Sequence, residues 1–400
     1  MTAVRGTPVR GLRAVAVGGL LAGCGLLPAG PAAAQPGCGP PAAADPQVTG
    51  VPWPQSRYDA GRLAGIADGS GVTVAVIDSG VDATQPVLAG AVLRGRDLLD
   101  KAGTGQRDCV GHGTAVASVI AGAPLDGIPV GLAPRTHILP YRVSEQEIVD
   151  GHPSGNPGTA TGVAEAIRDA TDRGARVINL SLVLSVDHPE VRAAVGYAQA
   201  HDVVVVAAIG NGHRDGGVDP VPYPAGYPGV LGVGAVDENG LRVPSSPVGP
   251  YVDLVAPGRA VVAAVPGHGL ARFDGTSFAA PFVSATAALI RQYRPRLTAV
   301  EVAARILATT DPAPAGGRSG GYGYGILNPY RAVTDQLGGA PVPVSASAAP
   351  PAPAVPATDR APRTPALTLS LGGLVLAGLV ALGASVVPRG AARGWRPGRT

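Results

Sequence analysis

Three residues whose types together perform nucleophilic acyl transfer lie far apart in the chain, each in a setting suited to one role. Asp78 ends the apolar run VTVAVID (72–78) and is followed by Ser79-Gly80. His112 lies between two glycines in GHGTAVASVIAG, ahead of an apolar helical stretch. Ser277 lies in GTSFAAPFVSATAALI, again ahead of an apolar helix. A serine hydroxyl is a weak nucleophile until a base takes its proton, and an imidazole base needs a third group to fix its tautomer and stabilise its charged form. The chain order Asp, His, Ser is one of three unrelated orders in which this constellation is known.

Each residue alone has a blander reading. A strand-end Asp is often a turn or cap residue, and a serine ahead of a helix is usually an N-cap. The combination reverses those readings. Asp78 sits at the carboxyl end of a strand, where α/β sheets place functional groups. His112 at a buried helix start is expected to resist protonation at rest, as a general base must. Ser277 has the positive end of a helix dipole beneath it, and its backbone N–H is a candidate oxyanion donor. Pro281 is expected in the first turn of that helix, where a missing N–H costs little. Asn211, between Gly210 and Gly212 in AAIGNG, is the candidate side-chain oxyanion donor, against the alternative of a left-handed turn residue. The other histidines (His137, His152, His188, His201, His213 and His268) lack such settings and read as surface residues.

The elements that must position these groups alternate along the chain. Apolar runs at 72–78, 177–182, 203–210 and 230–236 read as buried parallel strands, and 159–173, 189–200 and 298–308 read as helices. That alternation predicts an α/β fold with a mainly parallel central sheet and helices on both faces, over residues 65–336.

Residues 1–34 read as a signal peptide: Arg5, Arg10 and Arg13 precede an apolar stretch, and Ala32-Ala33-Ala34 offers a cleavage site. Leu21-Ala22-Gly23-Cys24 has the pattern of a lipobox, which would make Cys24 a lipidated terminus instead. Residues 35–64 form a Pro-rich extension. Residues 337–365 form a Pro/Ala-rich linker that cannot build a core. Residues 366–387 carry no charge and are long enough to span a bilayer, and residues 388–400 form a basic tail. The positive-inside rule places that tail in the cytoplasm and everything upstream outside, on a single-pass protein of the cell membrane. With Cys24 removed, Cys38 and Cys109 are left either as one disulfide beside His112 or as two free thiols. A net charge of +3 implies no nucleic-acid partner. The chemistry needs no metal and no cofactor, and no acidic cluster spells a calcium loop.

With the D-S-G, H-G-T and G-T-S-x-A-x-P signatures intact, the chain resembles the subtilases, and more narrowly the mycosins, membrane-anchored peptidases of type VII secretion systems. The wider likeness lies in the Cys-bearing Pro-rich extension, Cys109 just before the His motif, the closing GYGYGILNPYRAV (321–333), and the terminal apolar stretch with its basic tail. The resemblance implies a serine endopeptidase acting on a protein or peptide and a partner in the secretion membrane complex. It also offers a scaffold role in that complex, or a general cell-surface peptidase, as alternatives. Many subtilases pair substrate backbone with a Ser-Leu-Gly segment. Here the segment is Ser181-Leu182-Val183, so Val183 is expected to narrow the primary specificity pocket. A second cysteine pair expected in some mycosins is missing. The extension is also too short for an independent inhibitory prodomain.

Overall fold

The computed structural model describes residues 51–337 except 59, 150, 151 and 315, together with residues 38, 43–45, 48, 50, 388–392 and 394. Seven strands form one parallel sheet: β1 (Thr73–Asp78), β2 (Arg96–Asp97), β3 (His137–Arg142), β6 (Val177–Leu180), β7 (Val204–Ala208), β8 (Leu231–Val236) and β9 (Leu254–Pro257), in the order β2-β3-β1-β6-β7-β8-β9. Two hairpins lie outside it, β4 (Glu147–Val149) with β5 (His152–Ser154), and β10 (Val261–Ala264) with β11 (Leu270–Phe273). The connections from β1 run outward to β3 and then back to β6 on its other side. Asp78 therefore ends a strand at the point where the strand order reverses, where open α/β sheets place their sites.

The strands are apolar throughout because both faces are covered. Val74 and Val76 point into a core shared with α3 (His112–Ala121), α6 (Thr276–Tyr293) and α7 (Ala299–Ala308). Ala75 and Ile77 point the other way, into a core shared with α4 (Ala160–Asp172) and α5 (Pro189–Ala200). Strand side chains alternate faces, so Asp78 continues the Val74–Val76 row and faces α3 and α6. The same parity puts Asn179 and Ser181 on that face beside Val177. α6 is buried along almost its whole length, which its alanines at 279, 280, 285, 287 and 288 permit by allowing close approach to the strands.

The expected helices fall within one residue of their observed bounds at their start. Thr159 caps α4 by accepting from Gly162 N–H, and Thr298 with Glu301 forms a capping box on α7. The extension is more structured than its composition suggests. Within α1 (Trp53–Tyr58) and α2 (Ala60–Ala64), Tyr58 and Leu63 are core residues, and the Tyr58 ring meets Phe282 of α6 edge-on at 5.4 Å. Upstream, Asp45 N–H donates to Leu270 O at 2.8 Å, its carboxylate pairs with Arg272, and Cys38 is disulfide-bonded to Cys109. A short helix, α8 (Pro329–Thr334), packs on α6 and α7. The expected signal peptide (1–34), including Cys24, and the expected membrane span (366–387) lie outside the described residues. Among those described, no helix is long and apolar enough to cross a membrane.

Candidate active site

Asp78 and His112 are brought together by close backbone contact between the end of β1 and the start of α3. A Cβ on Gly113 would lie 2.0 Å from Gly80 O, so only glycine allows the two segments to meet. The result is a hydrogen bond of 2.7 Å between His112 Nδ1 and Asp78 Oδ1, which also accepts from Ser79 N–H at 2.7 Å. Asp78 is buried, whereas the His112 side chain is 30% exposed and leaves Nε2 for the cleft.

Behind this pair lies a residue that the sequence reading passed over. Asp108 is buried and accepts from Gly111 N–H (2.7 Å), Thr114 N–H (2.8 Å), Thr114 Oγ1 (2.6 Å) and Ser79 Oγ (2.9 Å). Ser79 Oγ in turn accepts from Gly113 N–H at 2.9 Å. Asp108 thus ties the residue after Asp78 to the residues flanking His112 and supplies the carboxylate that Gly111, as N-cap of α3, cannot. Burial pushes its carboxyl up to about 6, against those hydrogen bonds. Arg142, alongside Asp78 in register, directs its guanidinium to Asp97 at 2.6 Å and to Glu145, and not to the candidate triad.

One expectation about His112 is overturned. Burial alone would lower its pKa, but the charge and hydrogen bond of Asp78, with a further contribution from Asp108, outweigh it and raise the pKa above the ordinary histidine value. The base is therefore strong, and its uncharged form is lost as pH falls through that raised value.

Ser277 is the second residue of α6, so its backbone N–H has no partner within the helix. Phe278, its neighbour, packs against the His112 ring at 5.4 Å. The Ser277 hydroxyl donates to Ser181 O over a long 3.4 Å, and loose hydrogen bonds of this kind are common in active sites before substrate binds. Pro281 is not in the first turn, as expected, but is the sixth residue, inside the helix. Asn211 is joined to the same turn. Thr276 N–H, which can only donate, bonds Asn211 Oδ1 at 2.9 Å, so the amide Nδ2 is free to point outward. Thr276 Oγ1 exchanges hydrogen bonds with Gly210 N and O, both at 3.0 Å. Gly275 has φ +135° and a Cβ there would lie 3.0 Å from Asn211 Nδ2, which explains the glycine. Thr276, which the sequence marks only as a turn residue, locks Asn211 and Gly210 to the turn that carries Ser277.

Past the end of β6, residues 181–183 leave the sheet beside a cleft of about 460 Å³ that runs from Asp78 and His112 to His188. Ser181 is buried, Leu182 is half-buried and Val183 is 42% exposed. A Cβ on Gly210 would come within 3.3 Å of a Val183 methyl, so Val183 stands against the corner that holds Asn211. The surface reading of the other histidines fails for His213. Its Nδ1 lies 2.6 Å from Asp219 Oδ2, which also accepts from Val248 N–H at 2.7 Å, and its side chain is 12% exposed.

Residues 69–325 match peptidase S8, the subtilase family. The chain belongs to the subtilase family. Like its relatives it is a serine peptidase, with a subtilisin-like fold. It is 34% identical to mycosin-1 of Mycobacterium tuberculosis over 84% of this chain and 86% of that protein. It is 35% identical to thermitase of Thermoactinomyces vulgaris over 72% of this chain and 98% of that one. Among solved structures, the MycP3 protease from the type VII (ESX-3) secretion system superposes with a TM-score of 0.64 at 33% identity, covering 74% of this chain and 91% of that one.

The raised His112 pKa gives a pH prediction. The acid limb of kcat/KM for a chromogenic peptide lies above the ordinary histidine value, and Asp78→Asn moves it to lower pH while reducing the rate. An acid limb at or below that value in the unmodified protein would contradict this electrostatic account.

Proposed function

We propose that this protein is a membrane-anchored, extracytoplasmic serine endopeptidase that processes proteins exported by a type VII secretion system. The 2.7 Å Asp78–His112 bond, with Ser277 and Asn211 held to one turn by Thr276, is the observation that carries the enzymatic part. Ser277 Oγ attacks the scissile carbonyl carbon while His112 Nε2 takes its proton. Asp78 keeps Nδ1–H in place and stabilises the imidazolium. Asn211 Nδ2–H and Ser277 N–H receive the oxyanion. Collapse breaks the C–N bond, and His112 returns the proton to the leaving amine. Water, deprotonated by His112, then releases the acyl group as the acid and restores Ser277.

Residues 181–183 offer a backbone edge along the cleft to an extended substrate, and Val183 restricts the pocket beside it. The secretion role rests on similarity to mycosin-1 and to the MycP3 protease of the type VII (ESX-3) secretion system. Anchoring rests on the uncharged stretch 366–387 and the basic residues after it. A tethered catalyst meets exported chains at raised local concentration, which suits limited processing.

Val183 makes the wild type prefer alanine to phenylalanine immediately before the cleaved bond. Val183→Gly raises kcat/KM for the phenylalanine peptide relative to the alanine peptide by about tenfold or more, and an unchanged ratio would remove Val183 as the restricting wall. The cellular role is checked in a strain lacking the gene. Wild type restores the processing and export of secreted proteins seen by mass spectrometry, and Ser277→Ala does not. Full restoration by Ser277→Ala would establish a scaffold role instead.

A further inference from the structure

In an unbroken α-helix, Ser277 O would accept from the N–H four residues on. That residue is Pro281, which has none, yet α6 runs on to Tyr293. The orphaned carbonyl is taken over from the sheet. Ser181 Oγ donates to Ser277 O at 2.8 Å. Having used its proton there, Ser181 Oγ accepts from Asn179 Nδ2 at 3.0 Å. Asn179 Oδ1 is thereby turned back toward α6 and accepts from Ser284 Oγ at 2.8 Å. The chain of bonds leaves α6 at Ser284, crosses β6, and returns to α6 at the nucleophile.

All three supporting residues are buried, Asn179 and Ser284 completely. An amide and a hydroxyl among valines and alanines are unfavourable unless every partner is present. Parity places Asn179 and Ser181 on the face toward α6, and Ser284 lies two turns into the helix that carries Ser277. Ser181 touches the nucleophile at both ends: its side chain holds Ser277 O, and its own carbonyl accepts the Ser277 hydroxyl. A shift of Ser181 therefore moves the nucleophile's backbone and its proton acceptor together.

We propose that Asn179 and Ser284 are positioning residues for the nucleophile: they hold the Ser181 hydroxyl on Ser277 O in place of the helix hydrogen bond that Pro281 removes. This fixes the Ser277 backbone that carries both the nucleophilic Oγ and the N–H offered to the oxyanion. The proposal rests on Ser277 being the nucleophile. Misplacement of reacting groups by about 1 Å is enough to lower a rate by about 10²-fold.

The test uses the full-length protein in detergent, with succinyl-Ala-Ala-Pro-Ala-p-nitroanilide as the probe substrate. Ser284→Ala lowers kcat by about tenfold or more and leaves KM within about twofold, because the loss is in alignment and not in substrate contact. Ser284→Cys keeps the volume, weakens the donor and falls between wild type and Ser284→Ala, whereas Ser284→Thr keeps the hydroxyl and restores kcat. Thr286→Val is the matched control: Thr286 is equally buried on the same helix, but its hydroxyl bonds only Phe282 O. It lowers the melting temperature and leaves kcat unchanged. A folded Ser284→Ala or Ser284→Cys with wild-type kcat, or a kcat loss matched by Thr286→Val at equal loss of melting temperature, overturns the proposal. Hydrolysis that survives Ser277→Ala would remove the nucleophile reading itself, and this inference with it.

Discussion

The bond between Asp78 and His112 exists only because two backbones approach more closely than any side chain allows. Gly80 and Gly113 face each other across the junction of β1 and α3, and a single Cβ at Gly113 would sit 2.0 Å from Gly80 O. The rest of the site depends on that approach. Strand parity aims Asp78 at α3, Asp108 holds Ser79 to the helix start, and the disulfide at Cys109 fastens the extension to the next residue along. Over-packing such a junction costs about 1–3 kcal/mol and moves the segments apart, and the hydrogen bond has no slack to absorb that movement.

A second constraint acts on the nucleophile. A proline inside α6 removes one hydrogen bond of the very residue that must be placed most precisely. The helix survives because the neighbouring strand supplies the donor. Thr276 binds the same turn to Asn211 and Gly210. The Ser277 turn is thus held by residues just past the ends of β6 and β7, and those past β6 also line the cleft. Ser181 both lines the cleft and holds Ser277, so a change at one is felt at the other.

The elements and the four candidate catalytic positions were legible because their signals are local. Apolar runs marked β1, β6, β7 and β8 to within two residues of their ends, whereas β2, β3 and β9 carried no run long enough to stand out. Asp78, His112 and Ser277 stood in motifs whose glycines and small residues have direct steric causes. Polar residues whose partners lie far away in sequence were not legible. Asn179 reads as a flaw in an apolar strand, and Ser284 as one small residue among alanines; only their meeting across 105 residues gives them a role. Asp108 was hidden for a different reason: three of its bonds go to Gly111 and Thr114 close by, but an Asp just before a glycine turn reads as an ordinary loop residue. The expectation for His112 failed because burial and a neighbouring carboxylate act in opposite directions, and the sequence does not show which is larger. The short helices α1 and α2 span too few residues for periodicity to reveal that Tyr58 and Leu63 enter the core.

The central claim is that Ser277 is an activated nucleophile whose reactivity depends on His112. The most direct measurement is labelling of the full-length protein with a fluorophosphonate, followed by mass spectrometry to locate the adduct. The account predicts one adduct, on Ser277, formed rapidly in the wild type and far more slowly in a folded His112→Ala variant. An adduct on a different serine, an adduct rate indifferent to His112, or no adduct on folded wild-type protein would contradict it.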